Sequence, residues 1–210
     1  MAWSGRRPVA WLLEHAPVDR RWCVIHATHM TATETKALAR SGAVVGLCPI
    51  TEASLGDGTF PAREFLDAGG RFGVGTDSNV LVGVADELRQ LEYGQRLKHR
   101  ERNVLSGGPG ISTGRGLFDN ALAGGAQALA QPSAGIEAGA RADIVALDTT
   151  HPSLAGRHQD AVLDGWIFAA HTGAVDCVWA GGNKVVEGGR HRLRQQAREA
   201  FNAAVRRLVA

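Results

Sequence analysis

The chain has 210 residues, of which 44% are hydrophobic and 21% charged, with a formal net charge of +2. That length suffices for one domain with a sizeable core and a smaller appendage. The near-balanced charge gives no pointer to nucleic acid or a membrane surface. No apolar run approaches the ~20 residues that span a bilayer, and Met1-Ala2-Trp3-Ser4-Gly5-Arg6-Arg7-Pro8 lacks the apolar core of a secretory signal. A cytoplasmic protein handling a small molecule is expected. The three cysteines, Cys23, Cys48 and Cys177, form no Cys-x-x-Cys pair and lie in strand-like apolar contexts. They are expected to be buried structural thiols.

In chain order, 8–15 reads as a short helix with Pro8 in its first turn and Pro17 beyond its end. Trp22-Cys23-Val24-Ile25-His26 is an apolar run ending in histidine, suited to a strand buried on both faces. Thr31 followed three residues on by Glu34 is a capping-box pattern. It opens a helix through Lys36 to Arg40, which Gly42 closes. The run 43–48 is a second buried strand, ended by Pro49 and followed by a polar loop over 51–59. A helix starts at Pro61 and stops at Gly69-Gly70, and 72–76 is a third strand.

Strand, helix, strand, helix, strand with connections of this length implies a parallel sheet of βαβ units. The carboxyl edge of such a sheet is where functional side chains collect. His26 and Asp77 both fall at that edge. Asp77 stands in Arg71-Phe72-Gly73-Val74-Gly75-Thr76-Asp77-Ser78-Asn79, where the glycines leave room beside the backbone for a metal, a water or a substrate. Taken alone, that stretch is also what a helix cap or a turn requires.

Further on, 85–100 is helical with Leu88, Leu91 and Leu97 as apolar positions, 106–116 is a glycine-rich loop, and 117–130 is a helix rich in small residues. The segment 142–148 reads as a strand, and 175–180 with 184–187 as a hairpin across Gly181-Gly182-Asn183. The last helix is amphipathic, with Leu193, Ala197, Ala200, Phe201, Ala204, Val205 and Leu208 on one face. His151, His158, His171 and His191 are scattered without ligand spacing. Gly73-x-Gly75 lacks the third glycine of a dinucleotide fingerprint, and Ser106-Gly107-Gly108-Pro109-Gly110 lacks the ending of a phosphate loop.

His26-Ala27-Thr28-His29-Met30 at a strand end, Cys48-Pro49, Gly75-Thr76-Asp77-Ser78-Asn79 and Gly139-Ala140-Arg141-Ala142-Asp143-Ile144-Val145 together resemble the amidohydrolase superfamily. Its members are metal-dependent hydrolases and deaminases on a TIM-like (β/α)8 barrel with a small β domain. Trp22 to His29, together with Cys48-Pro49-Ile50-Thr51-Glu52-Ala53-Ser54-Leu55-Gly56-Asp57-Gly58, is most similar to the deiminases of histidine breakdown, which hydrolyse a formimidoyl group.

The resemblance implies an α/β fold. Residues 1–135 would be the C-terminal part of the barrel (strands 6–8), 136–190 part of a small β-sandwich domain, and 191–210 a C-terminal helix. Asp77 would match the eighth-strand aspartate, which ligates the metal and takes the proton of the attacking water. His26 would match the sixth-strand histidine, which hydrogen-bonds the attacking oxygen or the developing tetrahedral centre. The implied cofactor is a divalent metal, zinc by the family pattern, and a homodimer is compatible with the full-length enzyme.

The family's His-x-His pair occurs nowhere in this sequence, nor do the fifth-strand histidine and its neighbouring glutamate. Three strands cannot close an eight-stranded barrel. The expectation is therefore a fragment of a longer enzyme, inactive alone. Two alternatives stand beside it. One is a sibling amidohydrolase, such as an aminopurine or triazine deaminase or a chlorohydrolase. The other is a non-catalytic chain that needs a partner to complete it. Glu52, Asp57 and Asn79 would line a pocket in a complete barrel, but as isolated residues they read as solvated loop positions.

Overall fold

The computed structural model describes residues 4–78, 81–132, 135–170 and 173–209. Asn79 and His171 lie outside the described residues. The chain forms two compact units, one of Met1–Gly135 with His158–Ala169 and one of Ile136–Arg157 with Ala170–Ala210. No described helix is long and apolar enough to cross a membrane.

The first unit carries α1 (Pro8–His15), β1 (Cys23–Ile25), α2 (Ala32–Ser41), β2 (Val44–Leu47), α3 (Pro49–Leu55), α4 (Ala62–Asp67), β3 (Arg71–Val74), α5 (Val84–His99) and α6 (Thr113–Ala128). Its three strands form a parallel sheet in the order β1-β2-β3, with Val24 beside Val45 and Val45 beside Phe72. The parallel βαβ arrangement is the one the strand and helix spacing implies. Val44, Val45 and Leu47 of the central strand are wholly buried. They join Leu38 of α2, Phe65 of α4, Phe72 of β3, Leu88 of α5 and Leu117 of α6 in the core.

β1 departs from the expected strand buried on both faces. It pairs with β2 alone among the described residues, so it is a sheet edge, and Cys23 and Ile25 are exposed. Cys23 is therefore not a buried thiol, whereas Cys48 and Cys177 are buried. The loop expected over 51–59 is largely α3. Pro49 ends β2 and at the same time fills the first turn of a helix, where its missing N–H costs nothing. Leu97 of α5 is 82% exposed and does not share the buried side of Leu88 and Leu91.

Gly73 of β3, with Gly124 of α6, serves close packing and does not leave room for a ligand. A Cβ on Gly73 would stand 3.2 Å from the Gly125 backbone, and one on Gly124 would stand 2.0 Å from the Phe72 carbonyl oxygen. They allow α6 to lie directly on β3. A Cβ on Gly75 would meet only ordinary contact, 3.9 Å from Cys48 Sγ.

The capping box at α2 is present as read. Thr31 accepts the Glu34 N–H, and Glu34 accepts the Thr31 N–H at 2.7 Å. Glu34 also takes Arg7 Nε at 2.9 Å and the Ala10 N–H at 3.1 Å, which fastens α1 to α2. Thr31→Ala is expected to lower stability by about 1 kcal/mol, measured as a shift of the urea midpoint at constant slope.

Sequence reading passed over α7 (Asp160–Phe168). It belongs to the first unit and packs on α5 and α6, with Asp164 accepting the Gly114 N–H at 2.8 Å and Asp160 paired to Arg115 at 2.9 Å. Residues 158–169 thus stand in the first unit although they lie within 136–190.

The second unit holds an antiparallel sheet in the order β4 (Ile144–Leu147), β5 (Val175–Ala180), β6 (Asn183–Glu187) and β7 (Arg190–His191). The β5–β6 hairpin turns through Gly181 and Gly182, both with positive φ. The apolar positions of α8 (Arg194–Leu208) are not buried. Phe201 is 66% and Leu208 84% exposed.

Candidate active site

Because β1, β2 and β3 are parallel, their carboxyl ends share one edge of the sheet. His26 follows β1, Cys48 follows β2 and caps α3, and Asp77 lies just beyond β3. His26 Nε2 is 3.7 Å from Asp77 Oδ2, and His26 Nδ1 is 3.1 Å from Glu52 Oε1. The same Glu52 oxygen accepts the Cys48 N–H at 3.0 Å. Candidate ligand atoms of His26, Cys48 and Asp77 all lie within 4.8 Å of one another.

The backbone that presents these groups is unusual. His26, Ala27 and Asp77 have φ of 63°, 48° and 48°, in the left-handed region that non-glycine residues seldom adopt. Each costs on the order of 1–3 kcal/mol relative to ordinary backbone, and such residues concentrate at functional sites. The surroundings hold them there. The His26 N–H donates to the Gly46 carbonyl at 2.9 Å and the Ala27 N–H to the Ile25 carbonyl at 2.8 Å. The Thr51 hydroxyl donates to the Thr76 carbonyl at 3.3 Å, tying α3 to the segment that carries Asp77.

The corner is rich in negative charge. Glu87 of α5 is wholly buried and accepts the Ile50 N–H at 2.9 Å. Burial first, then Asp77, Glu52 and Glu87, push the Cys48 thiol up from 9.0 to about 11. Without a metal beside it, Cys48 is thus a neutral thiol at physiological pH and not a nucleophile. The stability consequence has a definite sign. Above the ordinary value the unfolded thiol has lost its proton while the folded one keeps it, so the unfolded state binds fewer protons and stability falls with rising pH. The contribution of Cys48 is expected to be lost between about pH 9 and pH 11. The check is denaturant midpoints for the native chain and Cys48→Ser across that range, with the steeper decline in the native chain.

The two sequence-predicted residues, His26 and Asp77, are brought together. Glu52 is the residue that sequence reading left in solvent; it is 4% exposed and bonded to His26. The signal was there in Pro49, since a proline opening a helix puts position 52 in the first turn, facing back toward its N-cap. Asp57 stays past the end of α3, with its N–H on the Glu52 carbonyl at 2.9 Å. His29 is exposed, and its carbonyl accepts from Arg7.

The donor set suits a divalent cation. Asp77 supplies a carboxylate oxygen, His26 a ring nitrogen whose other side is held by Glu52, and the surrounding carboxylates favour positive charge. The group His26, Cys48 and Asp77 offers one ring nitrogen, one thiol and one carboxylate, with the thiol protonated while no metal is bound.

A fold and a strand-end site of this kind belong with metal-dependent hydrolases, and the comparisons agree. The amidohydrolase family model matches residues 7–185, and the chain belongs to that family. Formimidoylglutamate deiminase of Pseudomonas aeruginosa is 52% identical over 200 residues, covering 95% of this chain and 44% of that protein. The crystal structure of an amidohydrolase from Brucella melitensis matches with a TM-score of 0.93 at 59% identity, over 100% of this chain and 46% of that one. An adenosine deaminase from Xanthomonas campestris with bound zinc matches with a TM-score of 0.84 at 26% identity, over 98% of this chain and 46% of that one. The chain thus spans less than half the length of these relatives.

Proposed function

We propose that this chain carries part of the active site of a formimidoylglutamate deiminase, which hydrolyses N-formimidoyl-L-glutamate to N-formyl-L-glutamate and ammonia in histidine degradation. The observation that carries the reading is the 52% identity over 95% of the chain to the Pseudomonas aeruginosa enzyme of that name. In this reading 1–135 corresponds to the sixth, seventh and eighth strands of a (β/α)8 barrel, and 136–190 to part of a small β domain. The remaining ligands come from segments that the longer relatives have in addition, and the protein works in the cytoplasm. A homodimer of the complete enzyme is compatible with it.

Asp77 would hold the metal, zinc by likeness to the zinc-bound Xanthomonas campestris structure. When bound, the metal lowers the pKa of water so that a nucleophile forms at neutral pH. Asp77 also collects a proton from the attacking water and returns it to the departing nitrogen. Its carboxylate is 37% exposed, so it is open to solvent on one side. His26, fixed beside it, hydrogen-bonds the attacking water and orients it toward the formimidoyl carbon. Water adds to the formimidoyl carbon, the C–N bond to the terminal nitrogen breaks, and ammonia leaves.

Elemental analysis of the purified chain, with an ammonia-release assay on the same sample, tests the assignment. This chain alone is expected to hold well under one metal per chain and to release no ammonia, whereas the complete enzyme carrying it is expected to bind metal and release ammonia. A complete enzyme that bound metal but released ammonia from an aminopurine and not from formimidoylglutamate would overturn the substrate and favour the sibling deaminases.

A further inference from the structure

We propose that Glu52 is a positioning residue for His26: it takes a hydrogen bond from Nδ1 and so turns Nε2, unprotonated when the ring is neutral, toward Asp77. The proposal deepens the deiminase reading and rests on it for its catalytic meaning. Its structural content stands on three observations.

The first is the shared acceptor. Glu52 Oε1 lies 3.1 Å from His26 Nδ1 and 3.0 Å from the Cys48 amide nitrogen. Oε1 already serves as the acceptor of the Cys48 N–H, so as the accepting oxygen it places the proton between it and the ring on Nδ1. The Cys48 N–H donates to the same oxygen, which holds the acceptor in place. The second is burial. Glu52 is 4% exposed on the first turn of α3, whose N-cap is Cys48, so its carboxylate cannot swing away to water. The third is the opposite face of the ring. Nε2 is 3.7 Å from Asp77 Oδ2, too long for a direct hydrogen bond and short enough that one donor atom can bridge both. An unprotonated Nε2 and a carboxylate oxygen facing a common point make two acceptors for one water, which is what delivering that water to a carbon requires.

The left-handed backbone at His26 then has a purpose. It sets the main chain from which the ring meets both carboxylates, and the bond to Glu52 holds the ring's orientation. A Glu52 serving only the α3 cap would need the Cys48 N–H alone.

The test is nitrogen-15 NMR on histidine-labelled 210-residue chain at about pH 9, well above the ordinary histidine range. In the native chain the His26 proton is expected on Nδ1, with a cross-peak to the Cys48 amide proton. Glu52→Gln keeps an acceptor oxygen and is expected to keep that tautomer; Glu52→Leu is expected to shift it toward Nε2–H, the form preferred by a free ring. A native ring protonated other than on Nδ1 alone, a missing cross-peak to Cys48, or the same tautomer in Glu52→Leu overturns the proposal. The native spectrum alone decides it if the leucine chain does not fold. In the complete enzyme, Glu52→Leu is expected to lower ammonia release 10- to 100-fold and Glu52→Gln much less. The spectra involve no substrate. A complete native enzyme that fails to deaminate formimidoylglutamate would therefore sink the deiminase reading and leave the Glu52–His26 assignment standing.

Discussion

Asp77→Asn is expected to lower ammonia release by about 10⁴-fold in the complete enzyme, the upper end for losing a proton-transfer group, while leaving the fold intact. Asparagine has the same shape and is one of the few residues that accept the left-handed backbone seen at φ 48°. The side chain is 37% exposed, so the change in stability should stay within about 0.5 kcal/mol. The amide cannot carry a proton between water and nitrogen, and it is a weaker metal ligand. A second readout needs no substrate. Asp77 is the largest of the charges raising the Cys48 thiol, after burial, so its removal should let Cys48 ionise at lower pH. Thiolate absorbance against pH, compared between the two chains, shows the shift. Retained activity with an unshifted Cys48 would mean that Asp77 faces neither the chemistry nor the thiol.

Gly124→Ala and Gly125→Ala should have opposite signs although the positions are adjacent. A methyl on Gly124 would lie 2.0 Å from the Phe72 carbonyl oxygen, and backbone, not a flexible side chain, is what it meets. α6 would have to move off β3, at a cost of about 3 kcal/mol or more. A methyl on Gly125 meets nothing within 4 Å, and alanine in a helix interior is worth about 0.5–1 kcal/mol over glycine. Gly124→Ala should therefore melt far below the native chain and Gly125→Ala slightly above it. Equal melting temperatures for the two would show that α6 does not lie against β3 through Gly124.

The parts of the fold that could be read from sequence are those set by local chemistry. Thr31 and Glu34 form their capping box because both partners lie within one turn. The strands ending at His26, Cys48 and near Asp77 follow from short apolar runs separated by βαβ-sized connections, and parallel pairing then puts the two predicted site residues at one edge. What could not be read depended on partners distant in sequence. Gly124 and Gly125 look like a weak point in a helix until Phe72 is known to lie beneath them. α7 follows a long irregular stretch and gains its place from α5 and α6. Cys23 and Ile25 carry the composition of a buried strand, yet among the described residues no strand pairs on the outer side of β1. Glu52 was hidden by reading Pro49 as an end and not also as a beginning.

The left-handed turn at His26 and Ala27 restricts what substitution can explore there. Histidine, asparagine, aspartate and glycine tolerate that backbone, whereas valine, isoleucine and threonine do not. On backbone grounds position 26 can drift among an imidazole, an amide and a carboxylate, but not toward a branched aliphatic side chain. The main-chain geometry thus acts as a filter on the chemical repertoire of the site, admitting unbranched polar side chains and rejecting β-branched ones before any ligand is involved.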